Sequence, residues 1–117
     1  MAQTENTGLF EIKDGILTKY HGRQNNIVIP EGVTEIGSAV FADWSRLLGV
    51  SIPSGVKKIG YAAFANCRNL MFVYIPDSVT TIDSSAFQGC NIELLICESD
   101  NAGAEFGKTN GIKVFVP

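Results

Sequence analysis

Acid–base chemistry in this chain would have to centre on His21, because it is the only histidine. A Ser-His-Asp triad needs an imidazole beside a serine and a carboxylate. His21 opens a polar stretch that ends at Asn26, and the chain has no Gly-x-Ser-x-Gly motif to accompany it. The carboxylates Asp77, Asp83 and Glu93 fall at unrelated places, so they indicate no paired acid and base. We therefore predict that His21 is a solvated residue and that the protein is not an enzyme.

The three cysteines, Cys67, Cys90 and Cys97, are the other side chains with reactive chemistry. Their spacing includes no Cys-x-x-Cys pair of the kind that binds metal or exchanges disulfides. Cys67 and Cys90 are 23 residues apart. If that interval is one turn of a stacked ladder, the two residues lie about 5 Å from each other, which would just admit a disulfide. We favour small buried thiols that fill one slot of the ladder, with a bond or a metal site as the alternative.

Cofactor motifs are not indicated. Gly32, Gly37, Gly55 and Gly60 serve turns and form no phosphate-binding loop. The polar run 98–101 is more typical of a helix cap than of a calcium site, which needs several more oxygen ligands at fixed spacing. We predict that the protein holds neither a cofactor nor a metal.

Net charge and hydropathy argue against nucleic-acid binding and against membrane insertion. The net charge is −3 and the pI is about 5.0, and the nine Lys and Arg residues are scattered, so we expect no nucleic-acid partner. No apolar run approaches the roughly 18 residues of a membrane span, so we expect no membrane insertion. The polar start lacks the apolar core of a signal peptide, which leaves a cytoplasmic location open beside a secreted one.

The elements that position these residues follow from a repeat. The pair Ile-Pro recurs every 23 residues, at Ile29, Ile52 and Ile75, and three further apolar columns keep the same interval. Those columns are Val33, Val56 and Val79; Ile36, Ile59 and Ile82; and Phe41, Phe64 and Phe87. A fixed period of this length predicts a solenoid whose units bury their apolar sides by stacking.

Each repeat is predicted to hold a short strand, a second extended piece and a turn. In the middle copy Val50 and Ile52 point inward, and Pro53 ends the strand because it has no N–H to give. Residues 56–59 form the second extended piece, and residues 62–67 form one helical or 3₁₀ turn. The stacked phenylalanines then form the spine of the core.

Both ends of the solenoid are predicted to be capped. Two apolar runs, 9–13 and 16–20, flank Asp14-Gly15, which is a strong hairpin signal. At the other end we expect a short helix that stops at Asn110-Gly111, followed by a strand over 112–116. The predicted organisation is a single β-rich solenoid domain over 9–117, with an N-terminal hairpin cap (9–26), repeats (27–97) and a helix-strand cap (98–117). Residues 1–8 are expected to be a disordered or artificial start.

The repeat resembles the BspA-like, or Treponema-type, leucine-rich repeats of bacterial surface proteins. Its motif reads Ile75-Pro76-x-x-Val79-x-x-Ile82-x-x-x-Ala86-Phe87-x-x-Cys90, preceded by Leu70-x-x-Val73. The departures are Ser78, where two repeats have glycine, and Trp44, which replaces cysteine. The resemblance implies a right-handed, curved solenoid with a parallel sheet on its concave side, a place at the cell surface or outside the cell, and an adhesion or protein-binding role without chemistry.

Strand alternation predicts which residues line the concave face. If Val50 and Ile52 point inward, the outward residues of the four repeats form two rows. One row is Asn26, Gly49, Phe72 and Leu94; the other is Val28, Ser51, Tyr74 and Ile96. Outward aromatic and aliphatic residues usually mark an interface on a soluble protein. Two simpler explanations stay open: the residues brace neighbouring strands, or they contact the C-terminal cap.

The predicted function is protein binding through Val28, Gly49, Ser51, Phe72, Tyr74, Leu94 and Ile96. The partner is a protein of unknown identity, with a second copy of the chain as another candidate. The alternative is a structural spacer or a self-associating unit of a larger surface protein.

Overall fold

The computed structural model describes residues 9–117 as ten strands and one helix. The expected disordered or artificial start, residues 1–8, lies outside the described residues. The strands and the helix are β1 (Phe10–Lys13), β2 (Ile16–Tyr20), β3 (Asn26–Val28), β4 (Glu35–Ile36), β5 (Gly49–Ser51), β6 (Lys58–Ile59), β7 (Phe72–Ile75), β8 (Thr81–Ile82), β9 (Leu94–Cys97), α1 (Ala102–Thr109) and β10 (Val114–Phe115).

The strands form two five-stranded sheets, and the predicted β-solenoid is confirmed. Sheet A has the order β1-β2-β4-β6-β8, and sheet B has the order β10-β9-β7-β5-β3. All pairs are parallel except β1 with β2. The second extended piece of each repeat therefore builds a sheet of its own.

The two sheets are staggered along the solenoid. At the N-terminal end, β1 and β2 extend sheet A beyond the first strand of sheet B, which is β3. At the C-terminal end, β9 and β10 extend sheet B beyond the last strand of sheet A, which is β8. The helix α1 contacts β8, β9 and β10, so it fills the place that sheet A leaves empty.

The hairpin cap forms as predicted, because its turn residues accept positive φ. Asp14 has φ of 53° and Gly15 has φ of 82°, which a type I′ turn requires at both central positions. The register shifts between Glu11 and Ile12, a bulge that the apolar pattern did not predict.

The inward residues of the repeats form one core. Leu47, Ile52, Val56 and Ile59 of the middle repeat are fully buried. Phe64 stacks between Phe41 and Phe87, with ring centroids 5.1 and 5.2 Å away and planes within 6° of parallel. The predicted aromatic spine is confirmed, and Phe106 of α1 continues it at 5.7 Å from Phe87.

The third side of each repeat is a stack of turns rather than a continuous helix. Within a repeat the hydrogen bonds join residues three apart, as from Cys67 N to Phe64 O at 3.2 Å. Between repeats, Phe41 N donates to Ala63 O and Phe64 N donates to Ala86 O, both at 2.8 Å. This ladder gives the turns a periodic backbone in which some residues are left-handed.

Left-handed positions recur down the turn stack. Asp43, Asn66 and Gly89, which are one repeat apart, have φ of 65°, 62° and 81°, and these residue types tolerate that region best. Ala39 and Ala62 also have positive φ, at 57° and 52°. An alanine there is strained, because its Cβ crowds the backbone.

Ala62→Gly is therefore expected to raise the free energy of unfolding by about 0.5–1 kcal/mol, since relief of left-handed strain outweighs the entropy that glycine adds to the unfolded chain. Its neighbour Ala63 is fully buried and has no positive φ. Ala63→Gly is the matched control and should destabilise the protein, because it removes a buried methyl group. Urea unfolding measures the change in the free energy of unfolding of both variants. A loss of stability in Ala62→Gly would contradict the expectation.

The C-terminal cap is a helix followed by an edge strand. Asn101 accepts a hydrogen bond from Ala104 N and so caps α1, as the polar run 98–101 indicated. Gly111, with φ of 72°, follows the helix as the predicted left-handed stop. The last strand pairs over only two residues, 114–115, rather than over 112–116. Within residues 9–117, α1 is too short to cross a membrane.

Candidate functional site

The two predicted outward rows exist in the structure. The parallel register pairs Asn26 with Gly49, Gly49 with Phe72, and Phe72 with Leu94. It likewise pairs Val28 with Ser51, Ser51 with Tyr74, and Tyr74 with Ile96. We call the surface made by these eight residues and Phe115 the open face of sheet B.

Phe115 is the member that the sequence reasoning missed. It pairs with Ile96, so it continues the second row onto β10, and its side chain is 52% exposed. The apolar run 112–116 predicted this strand, but not its place beside the repeats. The repeat period did not reveal it, because β10 follows a helix rather than an Ile-Pro pair.

The open face is largely apolar, and the exposed, charged Lys113 lies at its β10 edge, on the same side of the strand as Phe115. Val28 is 67% exposed and Phe72 is 43% exposed. Tyr74, Leu94 and Ile96 are half-buried, because each lies beside large neighbours in the sheet. The exposed apolar residues therefore adjoin one another instead of being scattered singly, which is the arrangement that marks interaction surfaces.

A shallow depression of about 230 Å³ lies at the N-terminal half of the open face. Its outward lining residues are Asn26, Val28, Gly49, Ser51, Phe72, Tyr74 and Ile96. Gly49 keeps it open: a Cβ at this position would come within 2.7 Å of Asn26 Oδ1. The depression therefore lies where the glycine leaves a gap beside Phe72.

The C-terminal helix lies on the core side of sheet B. A Cβ on Gly103 would come within 2.8 Å of Ile75 Cγ2, and one on Gly107 within 2.5 Å of Val114 Cγ2. Both contacted side chains point away from the open face. The C-terminal cap therefore extends this face through β10, and α1 leaves it uncovered.

Three of the residues considered for catalysis, His21, Asp77 and Asp83, have structural partners. His21 bonds through Nε2 to Glu11 Oε2 on the hairpin, a contact that the sequence did not predict. This hydrogen bond lowers the pKa of Glu11, whose side chain is exposed. Asp77 accepts hydrogen bonds from Ser99 Oγ at 2.6 Å and Asn101 Nδ2 at 3.0 Å, and so ties the C-terminal cap to the third repeat.

Asp83 is engaged in the same way within its own turn. Its Oδ1 accepts from Ser85 Oγ at 2.6 Å and from Ser85 N at 2.9 Å. Ser85 Oγ in turn accepts from Ala62 N, at 3.0 Å, in the preceding repeat. The hydrogen bonds from Ser85 lower the pKa of Asp83 below its ordinary value of 3.8.

Ser85→Ala is therefore expected to raise the pKa of Asp83 towards 3.8, because the hydroxyl bond favours the charged carboxylate. A carboxyl with a lowered folded-state pKa adds stability above its unfolded pKa and loses it as the pH falls. The variant should show less of this acid-induced loss. Carboxyl chemical shifts followed through an acid titration measure the pKa, with Ser84→Ala as the control. An unchanged Asp83 titration in Ser85→Ala would contradict the assignment.

The cysteines are free thiols at equivalent positions of neighbouring repeats. The Sγ atom of Cys67 donates to Phe41 O at 3.1 Å, and that of Cys90 donates to Phe64 O at 2.9 Å. Cys67 and Cys97 are fully buried, whereas Cys90 is partly exposed. Across residues 9–117, no cluster of three His, Cys, Asp or Glu side chains is placed to hold a metal ion.

The comparison with protein families decides the relationship. The profile for the BspA type leucine-rich repeat region matches residues 5–101, with six copies of the repeat. The chain belongs to the BspA-type leucine-rich repeat family. Members of this family act as protein-interaction or surface modules, and their fold is typically non-enzymatic.

Two solved leucine-rich structures are similar in fold to this chain. A leucine-rich repeat protein of Treponema pallidum matches with a TM-score of 0.65 and 25% identity, over 80% of this chain and 52% of that one. A leucine-rich cell surface protein of Faecalibacterium prausnitzii matches with a TM-score of 0.51 and 24% identity, over 91% of this chain and 27% of that one. This chain thus spans about half the length of the first and about a quarter of the second. A search of curated proteins found no match.

Proposed function

We propose that this BspA-type chain is a non-catalytic protein-binding module that holds its partner on the open face of sheet B. One observation carries the proposal: Phe72, Tyr74, Leu94, Ile96 and Phe115 lie together on adjacent strands, and the charged Lys113 lies at the edge of this group. Centres of protein interfaces are enriched in aromatic residues and depleted of charge. A nucleic acid needs several basic side chains, whereas the two rows of this face are uncharged apart from Lys113 at the β10 edge.

The depression at Gly49 supplies an anchor point. Its walls are Val28 and Phe72 on either side of the glycine and Tyr74 beyond it. An apolar side chain of the partner would fill this depression while its backbone runs across the sheet. Anchors of this kind usually contribute most of the binding free energy.

The size of the face limits the strength of binding. Five strands about 4.8 Å apart, each presenting about 10 Å of its length, offer roughly 200 Å². A stable interface buries about 800 Å² on each partner. We therefore expect weak, transient binding of an extended segment by this chain alone. A longer solenoid repeats the same face and would increase the area.

A place at the cell surface is part of the proposal. It rests on the family and on the F. prausnitzii structure, which is that of a cell surface protein. A module that binds proteins weakly and repeatedly suits adhesion, where many contacts act together.

The double variant Phe72→Ser with Tyr74→Ser is expected to lose binding, because it removes the aromatic side chains at the centre of the face. A library of random peptides displayed on phage is selected against the wild-type chain, and the affinity of each enriched peptide is measured by titration calorimetry. We expect enriched peptides to carry apolar anchors and to bind the double variant at least about tenfold more weakly. A tenfold loss of affinity corresponds to about 1.4 kcal/mol of binding free energy.

Tyr61→Ser is the matched control. Tyr61 is 64% exposed but lies in the turn stack, away from sheet B. Retained binding by the double variant, or equal loss in Tyr61→Ser, would overturn the proposal. Light scattering on the same proteins distinguishes self-association: a wild-type dimer that becomes a folded monomer in the double variant would make a second copy the partner. A monomer that selects no peptide would leave a spacer role.

A further inference from the structure

Two thiols occupy equivalent positions in the turn stack. Cys67 and Cys90 occupy the same position in neighbouring repeats, and Trp44 occupies it in the repeat before. Each thiol donates to the carbonyl of a phenylalanine in the preceding repeat. The slot therefore holds two chemically identical groups one repeat apart.

The backbone ladder fixes how far apart they are. Phe64 N donates to Ala86 O at 2.8 Å, and Asn66 N donates to Gln88 O at 2.7 Å, directly before the two cysteines. Neighbouring chains in such a ladder run about 5 Å apart. A disulfide needs Cα atoms 4.4–6.8 Å apart, and this ladder spacing lies within that range.

Access differs sharply between the two thiols. Cys90 lies on the wall of a surface cavity of about 350 Å³, which Gln88, Phe106 and Asn110 also line. Cys67 is fully buried behind it. A small molecule that enters the cavity therefore meets Cys90 first and reaches Cys67 only through it.

The pKa shifts of the cysteines also favour reaction at Cys90 before Cys67. The neighbouring Cys67 lowers the pKa of Cys90, while Cys90 and then burial raise the pKa of Cys67. Burial raises the pKa of the enclosed Cys97 as well. Since the thiolate is the nucleophile, Cys90 is the most reactive of the three cysteines.

We propose that Cys90 is a site of thiol–disulfide exchange with small disulfides, and that Cys67 resolves the product into a bond between the second and third repeats. Cys90 loses its proton to water, and its thiolate attacks one sulfur of a disulfide RSSR. The S–S bond breaks and RS⁻ leaves, so Cys90 carries a mixed disulfide. The Cys67 sulfur then attacks the Cys90 sulfur, the bond from Cys90 to the R group's sulfur breaks, and the departing RS⁻ takes the Cys67 proton and leaves as RSH.

The balance is two cysteine thiols and RSSR giving one protein disulfide and two RSH. The two electrons pass from the cysteines to the small disulfide. The exchange is reversible, so an excess of RSH restores the free thiols. The bond would tie two repeats together in the turn stack, which contributes no residue to the open face. This proposal is therefore independent of partner binding.

Hydroxyethyl disulfide is the probe, incubated with the folded protein and followed by mass spectrometry with peptide mapping. We expect the wild-type chain to lose two hydrogen atoms and to yield a Cys67–Cys90 peptide pair. Cys67→Ser should stop at the mixed disulfide on Cys90, and Cys90→Ser should remain unmodified. Cys97→Ser is the control and should behave as wild type.

Circular dichroism confirms that each variant is folded, and mapping of the wild-type product gives the assignment even if Cys67→Ser does not fold. A mixed disulfide that persists in the wild type would overturn the resolving role of Cys67. Reaction only after denaturation, or equal modification of Cys97, would overturn the assignment of Cys90.

Discussion

Phe64→Ala is expected to lower the free energy of unfolding by about 3–5 kcal/mol, the usual cost of emptying a buried aromatic position. Phe64 is fully buried, and its ring is stacked on both faces, against Phe41 and Phe87. Removing it leaves a gap between two rings that cannot close it, because the backbone ladder fixes the spacing of the repeats. Such a loss is a large part of the 5–15 kcal/mol that stabilises an ordinary domain.

Urea unfolding measures the loss, and Tyr61→Ala is the control. Tyr61 stands three residues earlier in the same turn but is exposed, so its truncation should change stability by no more than about 0.5 kcal/mol. A small effect of Phe64→Ala would mean that the stacked rings are not the spine of the core. Phe41→Ala should cost less, since Tyr20 can move towards the gap from 5.5 Å away.

Gly103→Val is expected to have the second largest effect, a loss of about 2–3 kcal/mol, because it forces atoms into a filled space. A Cβ at this position would lie 2.8–2.9 Å from three atoms of Ile75, and Ile75 is fully buried. The helix α1 must then move away from sheet B, which would open the C-terminal end of the core.

Glu105→Val is the control, because it places the same poor helix former on the exposed side of α1. A double-mutant cycle sharpens the test. Ile75→Ala removes Cγ1, Cγ2 and Cδ1, so Gly103→Val should cost less in that background than in the wild type. Equal costs in both backgrounds, measured by urea unfolding, would show that the overlap with Ile75 is not the cause.

The interior of the fold was predictable because the same pattern of apolar residues recurs in three repeats. The columns of Val33, Ile36 and Phe41 recur at one period, and inward residues must stack on their copies. The same alternation assigned Phe72 and Tyr74 to the outward face. Periodicity does not state what such a face contacts, so the protein-binding role remains a proposal.

Features that occur once were harder to predict. The period gives no information on β10, so Phe115 was missed on the open face. The contact of His21 with Glu11 depends on where a loop folds back on the hairpin, which residue types alone do not determine. The left-handed conformation of Ala62 escaped prediction because alanine normally avoids it.

The stagger between the two sheets has a consequence for assembly. Within residues 9–117, sheet B ends in two edge strands, β3 and β10, which run parallel to each other. A second copy that joined its β3 to β10 could extend the sheet without limit. Heterologous contacts of this kind produce fibres. The incoming copy would carry its β1–β2 hairpin two strands ahead of β3, into the space that α1 already fills. The helix would thus block head-to-tail polymerisation, and we expect its deletion to make the protein aggregate through its sheet edges.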